Sequence, residues 1–166
     1  MKKFFIDVFG KWLAAMLVAI TFSGLGLFFY KTPDINGSWV FWTKYSESDQ
    51  NLKFRGLNLG FRCLIQQSGE DLRGSGEKIW WREKNGQEGK DEVRKRSRLT
   101  IFGHIDKHYF SKDVATIHID EQGVPPQGNI KTMQIVKLLN DEKMIGTFTT
   151  LGWEHSGTVE WTKEKD

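Results

Sequence analysis

Hydrophobic and polar residues alternate along most of the chain after Pro33, whereas residues 12–30 carry no charge and are mostly apolar. Alternation with a period of two predicts β-strands that bury one face, with Gly, Pro, Asn, Asp and Ser at the turns between them. We predict eight strands, at residues 37–45, 57–67, 72–81, 97–107, 114–120, 130–138, 143–150 and 157–163. Residues 82–96 are polar and charged and are predicted to form the longest loop.

Short strands joined by near-neighbour turns predict an all-β fold, an eight-stranded antiparallel up-and-down barrel. Such a sheet protects its edges best by closing on itself, and a two-sheet sandwich is the alternative. Trp39 and Trp161 are predicted to lie in the barrel core, and Gly74 and Gly76 permit a bend or a bulge in the third strand. The interior of an eight-stranded barrel is either filled by side chains or holds one small ligand.

Polar residues in phase with the buried ones are the candidate ligand contacts. Lys78 shares its phase with Trp80 in the third strand, and Thr132 and Gln134 share the phase of the apolar residues in the sixth. We predict that Lys78, Thr132 and Gln134 face the interior, because pockets in barrels need a few inward polar groups. A register shifted by one residue would instead turn all three towards solvent.

Residues 12–30 predict a transmembrane helix. At about 1.5 Å per residue, nineteen helical residues span roughly 28 Å, close to the hydrocarbon thickness of a bilayer. The chain then divides into a short tail at 1–11, the helix at 12–30, a linker at 31–36 and the barrel at 37–163. A cleaved signal peptide is the alternative, although its apolar region is usually shorter and ends in small residues.

The flanking charges predict an orientation for this helix. Three lysines precede it, and by the positive-inside rule they favour a cytoplasmic amino terminus. We predict a single-pass protein of a bacterial inner membrane, and the side of the membrane on which the barrel lies stays open. Ala15, Ala19 and Ser23 are spaced four residues apart, so they form a stripe along which helices can pack. The stripe predicts a homo-oligomer; the alternative is that small residues are simply common in anchors.

Charge and cysteine content narrow the class of function. The net charge is +3, but three of the lysines and one aspartate precede residue 31, which leaves the remainder at +1. A polymeric nucleic acid is therefore not an expected partner. Cys63 is the single cysteine, which excludes an internal disulfide, and its place in an apolar alternation predicts a buried thiol.

The remaining polar clusters give no motif for catalysis. Ordinary surface residues are favoured over a metal site for all four histidines, which are His104, His108, His118 and His155. His104 and His118 are predicted to point outward. The basic segment 94–98 is interrupted nearby by carboxylates, so a solvated loop is favoured over a site for phosphate or anionic lipid. The sequence has no nucleophile elbow, phosphate-binding loop or paired metal ligands. We predict no metal, no cofactor and no catalysis.

Residues 35–39, Ile-Asn-Gly-Ser-Trp, resemble the Gly-x-Trp signature that opens the first strand of lipocalin-like barrels. In that family the tryptophan plugs one end of the barrel. The resemblance implies a lipocalin-like fold, with Trp39 as the plug.

The arrangement of the chain also resembles a second group of proteins. Residues 144–150 and 157–161 are similar to the closing hairpin of the minimal β-barrels in membrane-anchored effectors of bacterial anti-phage defence. Those effectors respond to cyclic nucleotides. The resemblance implies a cyclic nucleotide in the barrel and membrane disruption through oligomerised anchors.

These observations predict a non-enzymatic module that is anchored to the lipid bilayer and binds or senses a small molecule or a partner. The anti-phage effector is the first alternative, and a membrane-tethered enzyme of unknown class is the second.

Overall fold

The computed structural model describes residues 11–19, 33–49, 51–52, 54–90, 96–108, 111–123, 128–152 and 154–165. The chain forms two compact units, Met1–Lys31 and Thr32–Asp166. In the first unit, residues 11–19 are helical and include Ala15 and Ala19. Ser23 and the rest of the predicted transmembrane helix lie outside the described residues. Within these ranges, no helix is long and apolar enough to cross a membrane.

The described part of the second unit consists of strands and their connections. The strands are β1 (Gly37–Tyr45), β2 (Asn58–Ser68), β3 (Asp71–Arg82), β4 (Glu88–Lys90), β5 (Arg98–Asp106), β6 (Val114–Gln122), β7 (Asn129–Asn140), β8 (Lys143–Leu151) and β9 (Ser156–Lys163). All except β4 begin and end within two residues of a predicted strand. The expectation of an uninterrupted loop over residues 82–96 is wrong, because β4 pairs with the end of β3. Three residues are too few to show an alternation in the sequence.

Eight of these strands close into an antiparallel barrel. Each pairs with its neighbours in the order β1, β2, β3, β5, β6, β7, β8 and β9, and β9 pairs back with β1. β4 lies outside this ring and pairs only with β3 among the described strands. The predicted all-β eight-stranded antiparallel barrel is therefore confirmed, and the two-sheet sandwich is not the arrangement.

A register shift between β2 and β3 changes which way the end of β3 faces. Phe61 pairs with Lys78, but Gly60 pairs with Trp80, so Ile79 is the extra residue of a bulge. Lys78 therefore faces the interior while Trp80 faces outward, where its ring meets Trp42 edge to face at 5.1 Å. The expectation that Lys78 and Trp80 share a face is wrong for this reason.

The glycines of β3 do not form a bulge; they allow a close approach of two strands. The pairing of β2 with β3 runs without a shift past Gly74 and Gly76. A Cβ added to Gly76 would lie 2.4 Å from the carbonyl oxygen of Arg62, so this residue lets the two strands approach closely.

Aromatic side chains fill the interior from one end. Trp39 and Trp161 are fully buried, and Phe41 stacks on Trp161 with ring centroids 4.1 Å apart. The indole nitrogen of Trp39 donates to the carbonyl oxygen of Ile35 at 2.8 Å, just before β1 begins. This end of the barrel, which we call the closed end, is sealed by buried apolar residues: Ile35, Trp39, Leu72, Ile105, Leu138 and Met144.

Candidate functional site

The opposite end of the barrel, which we call the open end, carries a cavity of about 410 Å³. It lies where β1, β3, β6 and β8 end and where β2, β7 and β9 begin. The apolar part of its lining is Tyr45, Phe54, Leu57, Leu59 and Ile130, and the polar part includes Lys78, Glu121, Asn129, Thr150 and His155. Strand ends thus bring together residues that are far apart in the sequence.

A buried pair of polar side chains fixes the β1–β2 connection, residues 46–57, at the rim of the cavity. The two carboxylate oxygens of Asp49 lie 2.8 and 3.0 Å from Nδ1 of His155, and both side chains are buried. The ring of Phe54 packs on the imidazole with centroids 4.2 Å apart and on Tyr45 at 5.4 Å. The β1–β2 connection is therefore attached to the residues that precede β9.

Backbone hydrogen bonds hold the histidine in place. The amide of Thr150 donates to the carbonyl oxygen of His155 at 2.8 Å, and the amide of His155 donates to Oγ1 of Thr150 at 3.1 Å. Glu154 has a φ of 53°, in the left-handed region, which turns the chain immediately before the imidazole. On the other side of the pair, the amide of Asn51 donates to Oδ1 of Asp49 at 2.9 Å.

The electrostatics of the cavity combine both signs of charge in a partly buried place. Lys78 and Glu121 both line it, one from β3 and one from β6. Burial raises the pKa of the Tyr45 phenol, and the nearby carboxylates of Glu121 and Asp49 raise it further. Tyr45 is therefore a neutral phenol at physiological pH. The lining thus combines charged and polar groups with apolar side chains.

The interior beneath the cavity is almost completely filled. A space of only about 20 Å³ remains between residues that include Phe41, Phe61, Thr132 and Gln134. The Gln134 side chain is fully buried, and its Oε1 accepts a hydrogen bond from the Trp161 indole at 2.9 Å. A ligand of more than a few atoms therefore fits at the open end and not in the middle of the barrel.

The structure separates the three predicted ligand contacts. Lys78 lines the open-end cavity, whereas Thr132 and Gln134 lie deeper, beside the small interior space. Buried Thr43 also borders this space, and its hydroxyl makes no hydrogen bond with any residue that the structure describes. It is a polar group at the floor of the site.

Sequence reasoning missed the residues that build the rim. The expectation that the histidines are ordinary surface residues is wrong for His155, which is buried against Asp49. Asp49 and Phe54 lie in a connection, where no strand period assigns a direction to a side chain. His104 and His118 do point outward; His104 lies beside Asp71, and His118 stacks on Phe102 with centroids 5.2 Å apart.

Possible metal ligands, the cysteine and the basic segment do not form a second candidate site among the described residues. In the described ranges, no group of three or more His, Cys, Asp or Glu residues could hold a metal. Cys63 is buried, and burial raises the pKa of its thiol, which makes it a poor nucleophile. In the predicted basic segment, Arg96 pairs with Glu77, while residues 94 and 95 lie outside the described part of the chain.

Comparison with known proteins supports the fold alone. The chain is similar to the solved structure of a redesigned β-barrel, with a TM-score of 0.54 and 14% sequence identity, over 79% of this chain and 92% of the redesigned barrel. No protein-family model and no curated protein sequence matches the chain. The small barrel is thus established, and the lipocalin-like and effector interpretations stay predictions.

Proposed function

We propose that the barrel is a non-enzymatic binding module that takes a small organic molecule into the open-end cavity. The observation that carries this proposal is the cavity itself, an apolar and aromatic wall interrupted by Lys78, Glu121 and His155. Binding sites for small molecules are typically apolar concavities of about 300–1,000 Å³ with a few polar groups, and a volume of about 410 Å³ falls in this range.

The contacts within the rim support binding. The Asp49–His155 pair and the Phe54 ring stacked on it join the β1–β2 connection to the residues that precede β9. A pre-ordered wall reduces the conformational entropy that a ligand must otherwise overcome, so more of the contact energy becomes affinity.

The charges suggest which ligand the cavity favours. Because the lining contains both Lys78 and Glu121, its net charge favours a neutral or zwitterionic ring compound over a strongly charged one, and Tyr45 and Phe54 contribute aromatic surface. For the effector alternative, Lys78 is the residue that would attract the phosphate of a cyclic nucleotide, and Glu121 opposes it.

The amino-terminal segment supports a proposed place of action. Residues 12–30 are uncharged over nineteen positions, and we propose that they tether the module to a bacterial inner membrane. In this proposal Ala15, Ala19 and Ser23 mediate association of the anchors. Ligand binding would then produce a signal at the membrane or promote an assembly there.

Ligand-observed NMR on the full-length chain in lipid nanodiscs tests the proposal. The probes are a library of neutral and zwitterionic heterocyclic fragments, together with cyclic mononucleotides and dinucleotides. The cavity-filling variant is Ile130→Trp, because Ile130 lines the cavity, and the matched control is Thr100→Trp, because Thr100 is exposed on the outer face. We expect fragments that bind the native chain and the control but not Ile130→Trp. Binding that Ile130→Trp leaves unchanged would contradict the proposed site.

A further inference from the structure

The outer surface of the barrel is divided into two halves of different charge. We call the outward-facing side chains of β7, β8, β9 and β1 the basic face. Burial alternates along these strands, so every second residue belongs to this face. Its charged residues are four lysines and one glutamate: Lys44, Lys131, Lys137, Lys143 and Glu160. Lys143 forms an ion pair with Glu160.

The other half of the barrel surface is electrically balanced. The outward-facing charged residues of β2, β3, β5 and β6 are four arginines and four carboxylates: Arg62, Arg73, Arg82, Arg98, Asp71, Glu77, Asp106 and Asp120. The excess positive charge of the strands is therefore confined to one side of the barrel.

Large apolar side chains are exposed among the lysines of the basic face. Trp42, Ile135 and Ile145 are 41%, 48% and 38% exposed, and they line one groove on this face together with Lys44 and Lys137. The indole of Trp42 lies over Gly60, where an added Cβ would come within 2.3 Å of the ring. The apolar residues and the cations are thus interleaved on one surface.

We infer that the basic face docks on the surface of an anionic lipid bilayer. Lysines attract acidic headgroups and can extend past the apolar residues towards phosphate, while tryptophan and isoleucine insert at the headgroup level. A second copy of the chain fits this face poorly, because a two-fold symmetric contact would bring its lysines against the same lysines. This inference is independent of what occupies the open-end cavity.

Nitroxide accessibility on the full-length chain tests the inference. The native chain has a single, buried cysteine, so a spin label on Ile145→Cys reports the basic face and one on Thr100→Cys reports the balanced face. Each protein is reconstituted in liposomes of phosphatidylcholine alone or with phosphatidylglycerol. We expect the label at 145 to lose access to a water-soluble nickel relaxant, and to gain access to oxygen, when phosphatidylglycerol is present. The label at 100 should not change.

Two further variants separate the role of charge from that of apolar contact. One lysine near an acidic membrane surface contributes about 1 kcal/mol, or roughly a fivefold change in the docking equilibrium. Lys44→Gln with Lys137→Gln should therefore lower the ratio of docked to undocked protein about 30-fold, whereas Arg73→Gln with Arg98→Gln should not. Equal accessibility at positions 100 and 145 would overturn the inference. Protection at 145 that follows the protein-to-lipid ratio instead of the acidic lipid would also overturn it, in favour of a second copy.

Discussion

Two polar side chains in the barrel core depend on each other. The Trp161 indole donates to Gln134 at 2.9 Å, and both residues are fully buried. Gln134→Met keeps the side-chain volume but removes the acceptor, which leaves a buried N–H without a partner. We expect the free energy of unfolding to fall by about 1–3 kcal/mol in urea denaturation followed by circular dichroism. Adding Trp161→Phe to Gln134→Met should cost less than Trp161→Phe alone in the native background, and additive losses would contradict the coupling.

A buried phenol makes the stability of the barrel depend on pH in the alkaline range. The pKa of Tyr45 is raised above its ordinary value of 10.0, so above pH 10 the unfolded chain loses the phenol proton while the folded chain keeps it. Stability therefore falls as pH rises, by about 1.4 kcal/mol per pH unit for one such group. We expect Tyr45→Phe to remove this share of the slope in denaturation curves between pH 10 and 11 and to leave the slope below pH 9 unchanged. An identical slope in both proteins would contradict the assignment.

At the scale of an element, a buried pair joins the β1–β2 connection to the residues that precede β9. Asp49→Ala removes the partner of His155 Nδ1, and we expect a loss of about 1–3 kcal/mol that is concentrated in this connection. Hydrogen exchange measured by mass spectrometry should therefore accelerate by about 10- to 100-fold in the peptide that covers residues 46–57 and remain unchanged in β5 and β6. The matched control is Glu47→Ala in the same connection, where the carboxylate forms an exposed ion pair with Lys84. Equal exchange in the two variants would contradict the proposed role of the pair.

The strands of the barrel also depend on glycines where two backbones are in close contact. A Cβ added to Gly146 in β8 would lie 2.0 Å from the carbonyl oxygen of Ile135, and neither backbone can move away without breaking the pairing of β7 with β8. We expect Gly146→Ala to lower the free energy of unfolding by at least about 1–3 kcal/mol. Gly128 has no atom within 4 Å of an added Cβ, so Gly128→Ala should change stability by less than about 0.5 kcal/mol in the same urea titration.

At the scale of the whole barrel, the sequence predicts the strands well because each one is half buried. The first predicted strand, residues 37–45, coincides with β1. Among the described strands only β4 was not predicted, because it is three residues long. The direction of Trp80 was not predictable, because the bulge at Ile79 reverses the alternation and leaves no mark in composition. Lys78, by contrast, precedes the bulge in the sequence, so its interior position follows from the alternation of buried and exposed residues alone.

The candidate site was harder to predict than the barrel that carries it. Its rim is built by Asp49, Phe54 and His155, which lie in connections, and contacts between connections depend on the tertiary fold. The pairing of Asp49 with His155 joins residues 106 positions apart, and no local spacing encodes it. Residues on strand ends, such as Tyr45 and Thr150, could be placed near the open end once the strand directions were known.

Residues that precede the first strand contribute to the closed end of the barrel. Ile35 is fully buried, its carbonyl oxygen accepts the Trp39 indole hydrogen bond, and its amide donates to Gln67 at 2.9 Å. We expect a chain that begins at residue 33 to unfold cooperatively with the stability of the full-length barrel. A chain that begins at residue 37 should lose roughly 3–8 kcal/mol, because it lacks both a buried isoleucine and the indole acceptor. Ile35→Ala in the longer fragment keeps the carbonyl oxygen, so its loss, about 2–5 kcal/mol by guanidinium denaturation, should be the smaller of the two. Equal stability of the fragments beginning at 33 and 37 would show that the barrel closes without this segment.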